Sequence, residues 1–276
     1  MKLKKIRLFG ILKRIDFKSF YEIKKTFNLP IFHFLTKSKL FQIDENIKVI
    51  KIKNYFYVYA FNTILNLHEI ISVLKKEVNI SSKLHIKIKY INTKLIENID
   101  KSLLEKYNNF KTMKLDLNNI EPFLDNLKYK YFPDLRLINV DIQNYIDTRI
   151  WLQNSIFNTN SKKRLPIDKN YIFREMNNSC FLKDYCYILY FDEKPIGYGQ
   201  IIMDNKKYYL VNFGIIEEYR HMGFGYIFLC KIIDNIILKK QIKTLYLNVD
   251  NDNIPAINLY KKLGFIEVCN NIELKL

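Results

Sequence analysis

Apolar and polar residues alternate along this chain with two periods, and the periods sort it into strands and helices. Tyr208 to Ile216 is dense in Tyr, Val, Phe and Ile and predicts a largely buried strand. Just after it, Phe224, Phe228, Ile232 and Ile236 recur every four residues, the spacing of a helix that lays one face on a sheet. Thr244 to Asp250 predicts the next strand. Upstream, Leu135–Val140 predicts a strand, Ile142–Phe157 a helix carrying Trp151, and Lys169–Met176 a second helix. Strands follow at Tyr185–Asp192 and Pro195–Met203, and Phe265–Cys269 with Ile272–Leu276 predict a closing hairpin around Asn270-Asn271.

The first half has a similar rhythm. Tyr55–Phe61 predicts a strand, Leu67–Val78 a helix, Lys83–Tyr90 a strand, Lys94–Tyr107 a helix and Phe110–Leu117 a strand. Before them, Leu8, Ile11, Leu12 and Ile15 fall at helical spacing within Lys2–Lys18, a basic amphipathic segment expected to dock on its own domain. Asn118–Asp134, with Pro122 and Pro133, reads as a connector.

Chemistry concentrates between the strand ending at Ile216 and the helix of Phe228. There the chain runs Tyr219-Arg220-His221-Met222-Gly223-Phe224-Gly225. Two glycines permit a tight turn and a close backbone approach to a ligand. The helix that follows leaves its first amides unpaired and turns its positive dipole end to the same spot, which makes a phosphate cradle. Arg220, at the mouth, can add a charge-assisted contact. Further on, Asn253 is a good N-cap, Pro255 suits a first helical turn and Gly264 suits a left-handed stop. Ala256, Tyr260 and Leu263 share one face of the helix between them.

The pair R-x-x-G-x-G and N-x-x-A-x-x-L-Y-x-x-x-G-F, from Arg220 to Gly225 and from Asn253 to Phe265, resembles the GNAT acetyltransferase superfamily. The resemblance implies an α/β fold with a mixed sheet, a GNAT domain over residues 134–276 and acetyl-CoA as acyl donor. It also implies an N-acetyltransferase that moves acetyl to a primary amine of a small molecule or peptide, by direct attack in a ternary complex. On that resemblance the amides of His221, Met222, Gly223, Phe224 and Gly225 hold the pyrophosphate, supported by Arg220. Phe213, Gly214, Ile215 and Ile216 align the pantetheine arm and polarise the thioester carbonyl, and Asn253 and Tyr260 also meet the cofactor. Tyr260 is the expected general acid, since a phenol of pKa about 10 matches a departing thiolate. Glu217, Glu218, Asp204 and Glu175 are candidate proton acceptors, and Glu217, directly after the strand, is put forward. The echo in the first half implies a degenerate GNAT-like copy over 1–125, because its loop Asn62–Asn66 has no glycine.

Charge adds an alternative. The formal charge is +17, and residues 1–130 carry +14 of it. A basic half of that kind suits nucleic acid or an anionic surface, so a non-catalytic CoA-binding module with such a partner is the competing reading. The same charge would suit aminoacyl transfer from tRNA on tandem GNAT domains, but the glycine cradle argues for acetyl-CoA. Cys180, Cys186, Cys230 and Cys269 form no C-x-x-C pair and the four histidines are dispersed, so no metal site is expected. With no apolar run long enough to span a bilayer and no leader pattern, the expected location is the cytoplasm.

Overall fold

The computed structural model describes residues 4–6, 27, 38–44, 46–52, 55–75, 85–91, 94–96, 106–118, 120, 134–159, 162–163, 165–239 and 241–275. The chain divides into two compact units. The first comprises Met1–Thr112, Asp250–Asp252 and Glu267–Leu276, and the second Met113–Val249 and Asn253–Ile266.

In chain order the first unit contributes β1 (Lys4–Ile6), β2 (Ser38–Asp44), β3 (Ile47–Ile52), β4 (Tyr55–Phe61) and β5 (Ile64–Asn66). Helix α1 (Leu67–Lys75), β6 (His85–Ile91), β7 (Lys94–Ile96) and β8 (Lys106–Asp116) follow, the unit boundary falling inside β8 after Thr112. Burial alternates along β4 and β6, so Phe56, Val58, Ala60, Ile86 and Ile88 face one core with Leu67, Ile70 and Leu74 of α1. Each of the Val, Leu, Ile and Phe side chains among them contributes about 1.5–3 kcal/mol on burial. β4 and β6 run parallel with α1 as the crossover between them.

Three local expectations are corrected here. Lys4–Ile6 of the amphipathic N-terminal segment is a strand paired with Leu40–Gln42, while the remainder of that segment lies outside the described residues. Lys94–Ile96, expected in a helix, pairs in parallel with Ile64–Asn66, and Lys106 and Tyr107 already belong to β8. The expected C-terminal hairpin is one strand, β16 (Ile266–Lys275), which runs antiparallel to β6 with Ile272 opposite Ile88. Asn271, taken for a turn residue, is instead buried in mid-strand with its amide donating to Thr112 Oγ1 at 3.0 Å. Boundaries at 1–125 and 134–276 therefore differ from the observed division, since residues 267–276 complete the first unit and the second begins at Met113. Most of the expected connector, Asn118–Asp134, lies outside the described residues.

The second unit contains β9 (Leu135–Asn139), α2 (Ile146–Phe157, entered through a 3-10 turn at Ile142–Tyr145), the short pair β10 (Asn158–Thr159) and β11 (Lys162–Lys163), and α3 (Lys169–Met176). It continues with β12 (Phe181–Phe191), β13 (Lys194–Asp204), β14 (Lys207–Ile215), α4 (Phe224–Lys239), β15 (Thr244–Asp250) and α5 (Ile254–Lys262). Its strands lie in the order β15-β14-β13-β12-β9. Phe224, Phe228, Ile232 and Ile236 of α4 are all at most 1% exposed, as their spacing predicts.

A Cβ on Gly214 would lie 2.4 Å from Ile156 Cγ2 of α2, whereas one on Gly199 would lie 3.0 Å from Ile232 Cδ1 of α4. The two helices thus cover opposite faces of β13 and β14.

Candidate active site

β14 and β15 part company. They pair only from Tyr208 to Leu210, opposite Leu245 to Leu247, although both strands continue further. Beyond Leu210, β14 has no strand partner on that side among the described residues, so the wedge between the strands leaves its backbone accessible. The other side of β14 carries a bulge. Tyr198 pairs with Gly214 and Gln200 with Val211, which leaves Asn212 and Phe213 both opposite Gly199. Asn212 has φ +52°, the left-handed region that asparagine tolerates better than most residues.

A 3-10 turn at Glu217–Tyr219 then leads to the cradle. His221 (φ +63°) and Gly223 (φ +82°) reverse the backbone ahead of α4. Tyr226 and Ile227 donate the first helical bonds to Gly223 O, at 3.1 and 3.2 Å, so the amides of Gly223 and Gly225 precede the bonded turns. Among the described residues a Cβ at Gly223 would meet nothing within 4 Å, so the mouth is open. This combination of donors, dipole and space fits a pyrophosphate.

α5 closes the group. Asn253 caps it, its side chain accepting from Ala256 N at 3.3 Å. Leu259 and Ile215 each come within 4 Å of a Cβ built on Gly225, which brings α5, β14 and the head of α4 together. The Tyr260 ring lies 6.5 Å from that of Phe213, a bulge residue. It is 7% exposed, and its hydroxyl makes no hydrogen bond among the described residues. Burial pushes its pKa well above that of a free phenol, so the proton stays on at neutral pH.

Two expected residues are otherwise engaged. Arg220 Nε donates to Ile215 O at 3.0 Å and Nη2 to Ile156 O at 2.8 Å, so these donors brace the scaffold rather than reach outward. Ile216 N donates to Ile196 O at 2.9 Å, which spends one amide assigned to the pantetheine arm. Glu217 is exposed on the turn after β14, and its neighbour Glu218 pairs with Lys194 at 2.8 Å. Glu175 is committed to Arg149 at 2.7 Å. What the sequence reading did not foresee is the bulge, whose signal is Asn212, an asparagine within a strand otherwise rich in apolar and aromatic residues.

Splayed parallel strands, a bulge at the splay and a glycine cradle beside it are features of a fold of the GNAT class. Residues 150–265 match the Acetyltransferase (GNAT) family. A curated N-alpha-acetyltransferase from Sulfurisphaera tokodaii is 41% identical over 63 residues, which is 23% of this chain and 38% of that protein. The matched region thus spans well under two thirds of the relative's length. Among solved structures, a GCN5-related N-acetyltransferase from Sphaerobacter thermophilus superposes with a TM-score of 0.51 at 9% identity, covering 85% of this chain and 81% of the other. An acetyltransferase of the GNAT family from Colwellia psychrerythraea gives 0.50 at 11% identity over 100% of both chains. These two likenesses show the fold. No helix among the described residues is long and apolar enough to cross a membrane.

Proposed function

We propose that the second unit is an acetyl-CoA-dependent N-acetyltransferase acting on a primary amine by direct attack in a ternary complex. The observation that carries this reading is the convergence of the β14 bulge, the open cradle at Gly223 and the unpartnered Tyr260 phenol beside Phe213. Acetyl-CoA would supply an acetyl group activated as a thioester. The amides from His221 to Gly225 would hold its pyrophosphate, and Arg220 would stiffen the cradle through Ile215 and Ile156. Backbone groups of Phe213 and Gly214, left open by the bulge and the splay, would orient the pantetheine arm and donate toward the thioester oxygen. Asn253 would act first as the cap that aims α5.

Tyr260, protonated at neutral pH, would donate its phenolic proton to the departing sulfur, although burial makes it a weaker acid than a free phenol. Glu217, exposed beside β14, would accept the proton of the attacking ammonium directly or through water.

The first unit would be a degenerate copy. Its β4 and β6 stay paired over all seven rungs from Tyr55–His85 to Phe61–Ile91, with no splay. The head of α1 is closed by Asn66, whose Oδ1 accepts from the amides of His68 at 3.1 Å and Glu69 at 3.3 Å. Glu69 in the first turn would also repel a phosphate.

The test is calorimetric titration of acetyl-CoA followed by thiol release with peptide and small-molecule amines, for wild type and Tyr260→Phe. Binding by both is expected, with turnover about a hundredfold lower in Tyr260→Phe. A folded wild type that does not bind acetyl-CoA refutes the reading.

A further inference from the structure

A second polar cluster lies under α2 and α3, apart from the cradle. Arg149 and Gln153, one helical turn apart on the inner face of α2, are 0% and 4% exposed. The Arg149 guanidinium sits 5.2 Å above the Tyr198 ring, and Nη2 reaches Glu175 Oε1 of α3 at 2.7 Å. Tyr198 in turn donates to Gln200 Oε1 at 3.2 Å, and Gln200 is also fully buried.

The satisfied contacts leave an asymmetric remainder. Arg149 Nε, Arg149 Nη1, Gln153 Nε2 and Gln200 Nε2 are buried with no partner among the described residues. All four are donors, and no side-chain oxygen of these residues is left in the same state. Leaving one buried donor unpaired is already costly, and here there are four, two of them on the Arg149 guanidinium itself. Water relieves such a set imperfectly, since each molecule brings two new donors that need acceptors of their own. A carboxylate brings only acceptors, about four lone-pair sites on two oxygens, together with the charge that a guanidinium prefers.

Glu175 provides the entrance. Its side chain is 20% exposed while that of Arg149 is 0% exposed, so Glu175 can turn to solvent and yield its place to another carboxylate. The position also fits the reaction. Gln200 pairs with Val211, the residue before the β14 bulge, and Ile156, one turn beyond Gln153 on α2, packs against Gly214.

We propose that Arg149, Gln153 and Gln200 bind a carboxylate of the acceptor, which makes the acceptor an amine that also carries a carboxylate, entering by exchange with Glu175. The assignment of that carboxylate to the acceptor rests on the transferase reading above; the carboxylate site itself does not.

The experiment is calorimetric titration of the full chain with sodium formate, with sodium chloride at equal ionic strength as control, for wild type, Arg149→Met and Glu175→Gln. Formate is expected to bind wild type where chloride does not. Binding is expected to be lost in Arg149→Met and to tighten about tenfold in Glu175→Gln, where the competing carboxylate is gone. Absence of formate binding to wild type, or equal binding by Arg149→Met, overturns the proposal. Should Arg149→Met fail to fold, an unchanged formate affinity in Glu175→Gln overturns it instead. Acetyl-CoA titrated into the same samples separates the two readings: formate binding without acetyl-CoA binding removes the transferase and keeps the site, and the converse removes the site alone.

Discussion

Replacing Gly223 by aspartate puts a carboxylate at the mouth of the cradle with little steric penalty. A Cβ there meets nothing within 4 Å, so the side chain extends into open space. The backbone cost comes from φ +82°, and for aspartate or asparagine a left-handed residue costs about 1 kcal/mol. The electrostatic cost is larger. At a separation of about 6 Å and an effective dielectric of about 20, two unit charges repel by about 3 kcal/mol. That corresponds to a loss in acetyl-CoA affinity of about a hundredfold. Gly223→Asn has nearly the same shape and the same backbone strain but no charge, and isolates the electrostatic part. Calorimetric titration of both variants, with circular-dichroism melting as the folding control, is the assay. Asparagine is expected to stay within a few-fold of wild type and aspartate to lose about two orders of magnitude. Equal affinities for aspartate and wild type, or equal losses for both variants, refute the placement of the pyrophosphate at this cradle.

Other outcomes follow from the same geometry. Gly214→Ala would drive a Cβ to 2.4 Å from Ile156 Cγ2 and is expected to cost about 1–3 kcal/mol, read as a lowered melting temperature. Gly225→Ala, whose Cβ would have its nearest neighbour at 3.8 Å, is expected to keep both acetyl-CoA binding and stability, since alanine also favours the helix. Tyr260→Phe is expected to melt within about 0.5 kcal/mol of wild type while thiol release falls about a hundredfold, because the hydroxyl makes no hydrogen bond among the described residues. Burial raises the pKa of Tyr260, Tyr187 and Tyr198 in the folded chain above the unfolded value of about 10. The folded state therefore holds these protons more tightly; the stability they confer is complete below about pH 10 and is lost as pH rises beyond it. Melting followed from pH 9 to 11.5 should fall on the alkaline side, and less steeply in Tyr260→Phe; equal slopes would show that Tyr260 is not buried as described.

The elements around the cradle were legible because their signals are local. Four apolar residues spaced by four define α4, and cap, proline and terminal glycine define α5. What escaped depends on partners distant in sequence. Asn270 and Asn271 have the composition of a turn, yet the strand is decided by β6 and by Thr112 and Phe110, whose oxygens receive the Asn271 amide at 3.0 and 3.4 Å. Lys94–Ile96 becomes a strand because Ile64–Asn66 lies beside it. The motif position of Arg220 is plain in the sequence, but its commitment to two carbonyls is visible only when α2 and β14 are folded together. The same holds for Arg149, which reads as an ordinary helix cation until its burial is seen.

The pairing of β16 with β6 also sets an order of events during synthesis. A nascent chain that has emerged as far as β8 possesses β4, α1 and β6, but not the strand that hydrogen-bonds to the far edge of β6. That edge stays open until the whole second unit has been translated, and an open strand edge invites pairing with other chains. The second unit, whose sheet strands β9 to β15 are all made earlier, can therefore settle first even though it lies later in the sequence. A fragment cut between the halves would leave the first unit with that exposed edge, and expression of residues 1–125 alone should yield aggregate rather than a folded domain.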